Sequence, residues 1–250
     1  MSALLRTESV SKSFGGVVAL AGASLDVAEG SVAGLIGPNG SGKTTLFNVI
    51  TGYERPDAGQ VYLAGRAITG ARPEVVFSRG VGRTFQLTRI FGDLTVCENM
   101  LVTAWRHGGS RNPLARAGAP ARRRALELLE FTGLREHADR PARTLSYGQR
   151  KLLEFAYTLA ASPAIVLLDE PAGGVNPALV NEIAARIREL NAAGVTFLIV
   201  EHDMDFVMGL CDRVTVLDHG TVIAAGPPRR VRADPLVLDA YLGPEGDADG

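Results

Sequence analysis

The stretch Val32-Ala33-Gly34-Leu35-Ile36-Gly37-Pro38-Asn39-Gly40-Ser41-Gly42-Lys43-Thr44-Thr45-Leu46-Phe47-Asn48-Val49-Ile50 decides the fold. Val32 to Ile36 is an apolar run with the character of a buried strand. Gly37 to Gly42 is a glycine-rich turn, and Thr45 to Ile50 has helical character. The turn fits G-x-x-x-x-G-K-[ST], the spacing of a phosphate cradle. Backbone N–H groups at the start of the helix point at an anion there, and the helix dipole favours negative charge. Gly37, Pro38, Asn39, Gly40, Ser41, Gly42, Lys43, Thr44 and Thr45 are therefore candidate nucleotide-binding residues. Lys43 would reach the β- and γ-phosphates, and Thr44 would hold Mg²⁺. The chain has 26 basic residues, of which only Lys12, Lys43 and Lys151 are lysines. A lysine where a compact ammonium must enter a phosphate nest argues against a glycine-rich turn with no ligand.

Working outward, the 250 residues allow one large domain or two small ones, and 46% hydrophobic content is enough for a sizeable core. The net charge of −1 gives no bias toward nucleic acid or anionic lipid. Cys97 and Cys211 lie far apart without partners at metal spacing, and have the character of small buried hydrophobes. The N-terminus lacks the apolar segment of a signal peptide, and no run approaches the roughly 18 apolar residues of a membrane span. These features point to a soluble, cytoplasmic chain whose membrane role, if it has one, comes through partners.

Short strands are expected at Leu4–Val10, Ala23–Ala28, Ser31–Ile36, Gly59–Gly65 and Val81–Gln86. Thr95–Trp105 and Arg122–Thr132 have helical spacing. Between them, His107–Arg122 is a Gly-, Pro-, Ala- and Arg-rich loop, with Arg122-Arg123-Arg124 at a solvated helix start. Tyr147–Ala161 and Pro177–Ala193 are amphipathic helices, and Ala164–Leu168 and Val195–Val200 are buried strands. Asp218-His219-Gly220 turns a hairpin between Val214–Leu217 and Thr221–Ala225. A short helix, Pro235–Leu242, precedes an acidic glycine-rich tail. The pattern is that of an α/β domain with a largely parallel core sheet and a helical insertion, with ligand at the carboxyl ends of the strands.

Ile165-Val166-Leu167-Leu168-Asp169-Glu170 is an apolar strand ending in two carboxylates. Asp169 suits a hold on Mg²⁺, and Glu170 suits polarising an attacking water. The plain alternative is an acidic turn after a core strand. Leu145-Ser146-Tyr147-Gly148-Gln149 opens an amphipathic helix. A helix cap accounts for Ser146 but leaves Gly148 and Gln149 unexplained.

Together these motifs resemble the nucleotide-binding subunits of ABC transporters, over nearly the whole chain. The family signature is usually LSGGQ; LSYGQ here is similar to the form in branched-chain amino-acid importers. The resemblance implies a P-loop NTPase core with a mostly parallel sheet, an antiparallel β N-terminal part and a helical insertion subdomain. One ABC ATPase domain would span 1–243, with core 1–90 and 162–230, helical subdomain 91–161 and a flexible tail 244–250. It implies that Ser146, Gly148 and Gln149 bind the γ-phosphate held by a second subunit. Gln86, in Thr84-Phe85-Gln86, would contact Mg²⁺ and the lytic water and link them to transmembrane subunits. His202 would bond the γ-phosphate and keep the water aligned. Phe14 would stack on adenine; its alternative is ordinary core packing. The family's D-loop normally carries an aspartate, and Asn176 stands in the corresponding segment, keeping hydrogen-bonding capacity without charge.

The catalytic set implied is Glu170, His202, Lys43 and Gln86, with Thr44, Gln86 and Asp169 on the metal and ATP and Mg²⁺ as cofactors. The implied partners are two transmembrane permease subunits, a second ATPase subunit (self or paralogue) and, indirectly, an extracytoplasmic solute-binding protein. The chain would sit on the inner face of the cell membrane. Phe85 to Phe91, Thr95 to Met100, Pro171 to Pro177, Glu201 to Met204 and Ala240 to Gly243 are similar to branched-chain amino-acid importers, a group that includes urea and amide importers. A GTP switch would need an Asn-Lys-x-Asp base reader, which is missing. A chromosome-structuring ABC ATPase would carry long coiled coils in place of the interval of about a hundred residues between the phosphate loop and the signature. A translation-associated ABC protein would carry two such domains.

Overall fold

The computed structural model describes residues 3–84, 90–104 and 118–242. Two sheets organise it. The first has four antiparallel strands, β1 (Ala3–Phe14), β2 (Val17–Ala28), β4 (Ala58–Leu63) and β5 (Arg66–Ala67), in the order β2-β1-β4-β5. The second has six, β3 (Val32–Ile36), β6 (Val81–Arg83), β7 (Ile165–Asp169), β8 (Thr196–Val200), β9 (Arg213–Asp218) and β10 (Thr221–Gly226), in the order β10-β9-β3-β8-β7-β6. Every pair within it is parallel except β9 with β10.

The uniform apolar runs of β3, β7 and β8 follow from burial on both faces. Val32 and Ile36, Val166 and Leu168, and Phe197 and Ile199 face one core, while Ala33, Leu35, Ile165, Leu167, Leu198 and Val200 face the other. The first core is closed by helices α3 (Val96–Ala104), α4 (Ala119–Phe131), α5 (Tyr147–Leu159), α6 (Pro177–Ala192) and α7 (Met204–Leu210). The second is closed by the antiparallel sheet and α1 (Lys43–Ile50), which contributes Leu46, Phe47, Val49 and Ile50. Gly34 marks where α7 crosses β3: a Cβ there would lie 2.9 Å from Val207 Cγ1. Short helices α2 (Pro73–Ser78), α8 (Pro228–Arg232) and the longer α9 (Pro235–Leu242) complete the chain. No helix among the described residues is long and apolar enough to cross a membrane.

Several elements differ from the sequence expectation. β1 runs past Val10 to Phe14 because irregular pairing around Ser9, at φ 46°, lets the strand bend and continue. The helix expected from Arg122 begins at Ala119, since Pro120 supplies a φ suited to the first turn. Residues 107–117 of the expected 107–122 loop, Trp105 and the acidic tail lie outside the described residues. α2, α7 and α8 have no counterpart in the sequence reading. The hairpin is as expected, with positive φ at both His219 and Gly220 between β9 and β10.

Candidate functional site

The phosphate loop leaves the carboxyl end of β3, whose five residues are all buried. Gly37 has no room for a side chain, because a Cβ would collide with the Leu217 carbonyl and lie 2.7 Å from Ser41 Oγ. Gly42, in the left-handed region, ends the loop as the α1 N-cap with no side-chain cap bond. The first N–H groups of α1 are thus not taken by a cap, which is what an anion site requires. Lys43 is only 5% exposed. Its Nζ donates to the carbonyls of Gly37 and Pro38, both at 2.8 Å, and to Ser41 Oγ at 3.4 Å. Burial pulls its ammonium below the ordinary lysine value, and the carboxylates of Glu170 and Asp169 act the other way. That attraction connects the loop to the end of β7, two strands away in the sheet.

At that end, Asp169 Oδ2 accepts from Arg83 at 3.1 Å, each side chain 7% exposed. Arg83, from β6, also donates to Asn48 Oδ1 at 2.8 Å and Thr51 Oγ1 at 2.9 Å. Its guanidinium lies beside the rings of Phe47 and Tyr53. The Asp169 N–H donates to Thr84 Oγ1 at 3.2 Å. Glu170 follows at φ 49°, its N–H donating to Val200 O at 2.9 Å. His202 Nε2 donates to Glu170 Oε1 at 2.5 Å. Glu201, 2% exposed, turns inward and accepts from the N–H groups of Ala172 at 2.6 Å and His202 at 3.0 Å. Its burial pushes the carboxyl above the ordinary range, with the backbone N–H bonds opposing.

Phe14 ends β1 as a residue 44% exposed, which rules out core packing; the Lys12 ammonium sits 5.1 Å from the ring centroid. Gln86 lies outside the described residues. Ser146 caps α5 in a capping box: its Oγ accepts from the Gln149 N–H at 3.2 Å, and the Ser146 N–H donates to Gln149 Oε1 at 2.9 Å. This corrects the expectation that a cap leaves Gln149 unexplained. Gly148 has a packing reason too, since a Cβ would lie 2.5 Å from Leu179 Cδ2. Asn176 is likewise a cap, its Oδ1 accepting from the Leu179 N–H at 2.9 Å at the start of α6.

Lys43, Asp169, Glu170 and His202 are thus brought together, and the signature is not. Ser146, Gly148 and Gln149 line a groove of about 610 Å³ with Gly174 and Asn176, and no phosphate-loop residue borders it. Sequence reasoning gave no role to Arg83, Thr84 or Glu201. Each acts on a partner remote in sequence or through the backbone, and Thr84 and Glu201 stand in motifs read for their neighbours Gln86 and His202.

A strand–glycine loop–helix with a buried lysine, together with two carboxylates at the end of a parallel strand two places away in the same sheet, defines a P-loop nucleoside triphosphatase. The chain belongs to the ABC transporter family, whose model matches residues 20–173. A second model, the branched-chain amino acid ATP-binding cassette transporter, matches residues 221–243. The chain is 42% identical to the high-affinity branched-chain amino acid transport ATP-binding protein LivG of Salmonella typhimurium, over 96% of this chain and 98% of that one. It is 40% identical to the corresponding protein BraF of Pseudomonas aeruginosa, with the same coverage. Among solved structures, a nucleotide-free ATP-binding cassette from an ABC transporter superposes with a TM-score of 0.87 at 39% identity, covering 97% of this chain and 100% of that one. A dimeric cassette in a post-hydrolysis state bound to ADP and Pi matches with a TM-score of 0.77 at 28% identity, covering 90% and 99%. The protein is an ATP-binding, ATP-hydrolysing motor subunit of the ABC type.

Proposed function

We propose that the chain powers import of branched-chain or similar hydrophobic amino acids, pairing with itself or a paralogue around two ATP molecules. The pair would drive two permease subunits from the inner face of the membrane, supplied from outside by a solute-binding protein. The family match at residues 221–243 and the names of LivG and BraF support the solute class. The division into a core of 1–90 and 162–230 and a helical unit of 91–161 is part of the same reading.

The residues fit the groups they would hold. The uncapped start of α1 and the buried Lys43 suit a triphosphate. Thr44 and Asp169 offer oxygen donors only, as Mg²⁺ prefers, and the Arg83 bond fixes the Asp169 carboxylate. The metal would neutralise charge on the phosphates, and Gln86 would add a further contact. Phe14 would give the adenine an exposed ring to stack on. Ser146, Gly148 and Gln149 would approach the γ-phosphate held by the second subunit. Glu170 would take the proton of an attacking water, oriented by the His202 imidazole bound to it.

The observation that carries this reading is the Glu170–His202 bond just beyond the carboxyl ends of β7 and β8, with the Glu170 carboxylate acting on the Lys43 ammonium. A Glu170→Gln variant should bind ATP and stay dimerised on size-exclusion chromatography without turnover. Hydrolysis at the parental rate would mean that another group activates the water. Solute-stimulated ATPase of the complex with its permeases, measured with leucine, urea and short amides, tests the solute class.

A further inference from the structure

Two of the chain's three lysines have places in the site described above: Lys43 in the phosphate loop and Lys12 beside the Phe14 ring. Lys151 does not. It projects from the second turn of α5 and is partly buried. Its Nζ donates to Gly173 O at 2.7 Å and Glu170 O at 2.8 Å, with Pro171 O at 3.4 Å. An ammonium has three N–H donors, and three carbonyls of one short loop converge on them. A guanidinium spreads its donors in a plane and does not fill such a cradle. That accounts for a lysine here in a chain that otherwise favours arginine.

The same loop is gripped from its other side. Glu201 accepts the Ala172 N–H, so an ammonium holds the carbonyls of residues 170, 171 and 173 while a buried carboxylate holds the amide of 172. Burial lowers the Lys151 ammonium below its ordinary value; the carboxylates of Glu201, Glu154, Glu170 and Asp169 act against that. Glu170 sits at φ 49°, which a non-glycine residue keeps only where its surroundings impose it. The bonds that impose it include the N–H to Val200 O and the carbonyl held by Lys151. Four residues before Lys151, the Tyr147 ring faces the ammonium at 5.5 Å, and a Cβ on Gly174 would touch the ring edge at 3.4 Å. The tyrosine of LSYGQ is therefore packed between the ammonium and the loop leading into α6.

We propose that Lys151 is a positioning residue that ties α5 to the backbone of Glu170, so that movement of the signature end of α5 re-aims the Glu170 carboxylate. α5 carries the signature groups on its first turn and this ammonium on its second, with no hinge between them. The proposal rests on the reading of Glu170 as the group that activates water. Lys151 touches neither phosphate nor water in this scheme; it sets where Glu170 stands when the second subunit presses on Ser146.

The test uses the full chain assembled with its permease subunits. Lys151→Met keeps the apolar stem and removes the donors. Its kcat should fall about 10- to 100-fold, as for a displaced catalytic group. The KM for ATP should stay within about two-fold, because ATP binding does not use this lysine. The double variant Glu170→Gln/Lys151→Met should still form the ATP-dependent dimer. A parental kcat in Lys151→Met overturns the proposal. So does loss of the dimer in the double variant, since the lysine would then serve closure and not Glu170. If Lys151→Met does not fold, Lys151→Gln carries the same expectation and the same overturning results. Failure of the underlying reading is distinct: Glu170→Gln alone would then hydrolyse ATP at the parental rate.

Discussion

Gly40 and Gly42 both hold positive φ in the phosphate loop, yet a side chain would meet different surroundings at each. At Gly40 (φ 80°) nothing lies within 4 Å of an added Cβ. At Gly42 (φ 103°) the Cβ would run into the Ala19 carbonyl and lie 3.0 Å from Leu20 Cδ2. Gly40→Ala should cost only the left-handed conformation, about 1–2 kcal/mol. Gly42→Ala adds a backbone collision that β2 must move to relieve, and should cost at least about 1 kcal/mol more. Urea unfolding without nucleotide measures both, and equal midpoints would mean that crowding at Gly42 is absorbed elsewhere. The glycines were legible because the loop's spacing is local. Arg83 was not: it meets Asp169 86 residues away, and only the folded sheet makes β6 and β7 neighbours. Lys151 and Glu201 were hidden for a related reason, since they act on backbone groups, which every sequence offers equally.

At the scale of elements, capping decides how much of the signature and D-loop segments is structural. Asn176 and Ser146 each satisfy an otherwise unpaired N–H at a helix start. Asn176→Ala should destabilise the chain by about 1 kcal/mol, whereas Asn176→Asp should leave it nearly unchanged, because both Asn and Asp cap well. The comparison is made by urea titration, and an aspartate variant as unstable as the alanine one would show that the Oδ1 bond is not what holds α6. Buried strands were readable because burial on both faces removes polar residues altogether, as in β7 and β8. α7 was not, since its seven residues are too few for a helical period to declare itself, and Asp203, its cap, also falls in the Glu201-His202-Asp203 motif. β1 was cut short because its pairing irregularity breaks the alternation on which strand reading depends.

At the scale of the whole molecule, the two cysteines report whether the helical layer and the sheet unfold as one. Cys97 lies on α3, within the helical layer, and Cys211 follows α7 against β3. Both belong to the core cluster that runs from Met100 and Leu129 through Leu153 to Phe197 and Val214, so no polar boundary separates their surroundings. Burial raises both thiols above their ordinary value, Cys211 to about 12. At pH 8 a thiol with that value is ionised in roughly one molecule in ten thousand, and the thiolate is the species that alkylates. The sign of the effect is that the native chain keeps the Cys211 proton over a window in which the unfolded chain gives it up. Native protein should therefore resist iodoacetamide at both sites at pH 8, and unfolding should expose both to rapid labelling. Since one continuous core holds them, labelling of Cys97 and Cys211 along a urea titration, read by mass spectrometry, should share a single midpoint. A lower midpoint for Cys97 would mean that the helical layer opens while the sheet stays folded. In that case the signature helix would owe its placement to contacts such as the Lys151 cradle more than to the shared core.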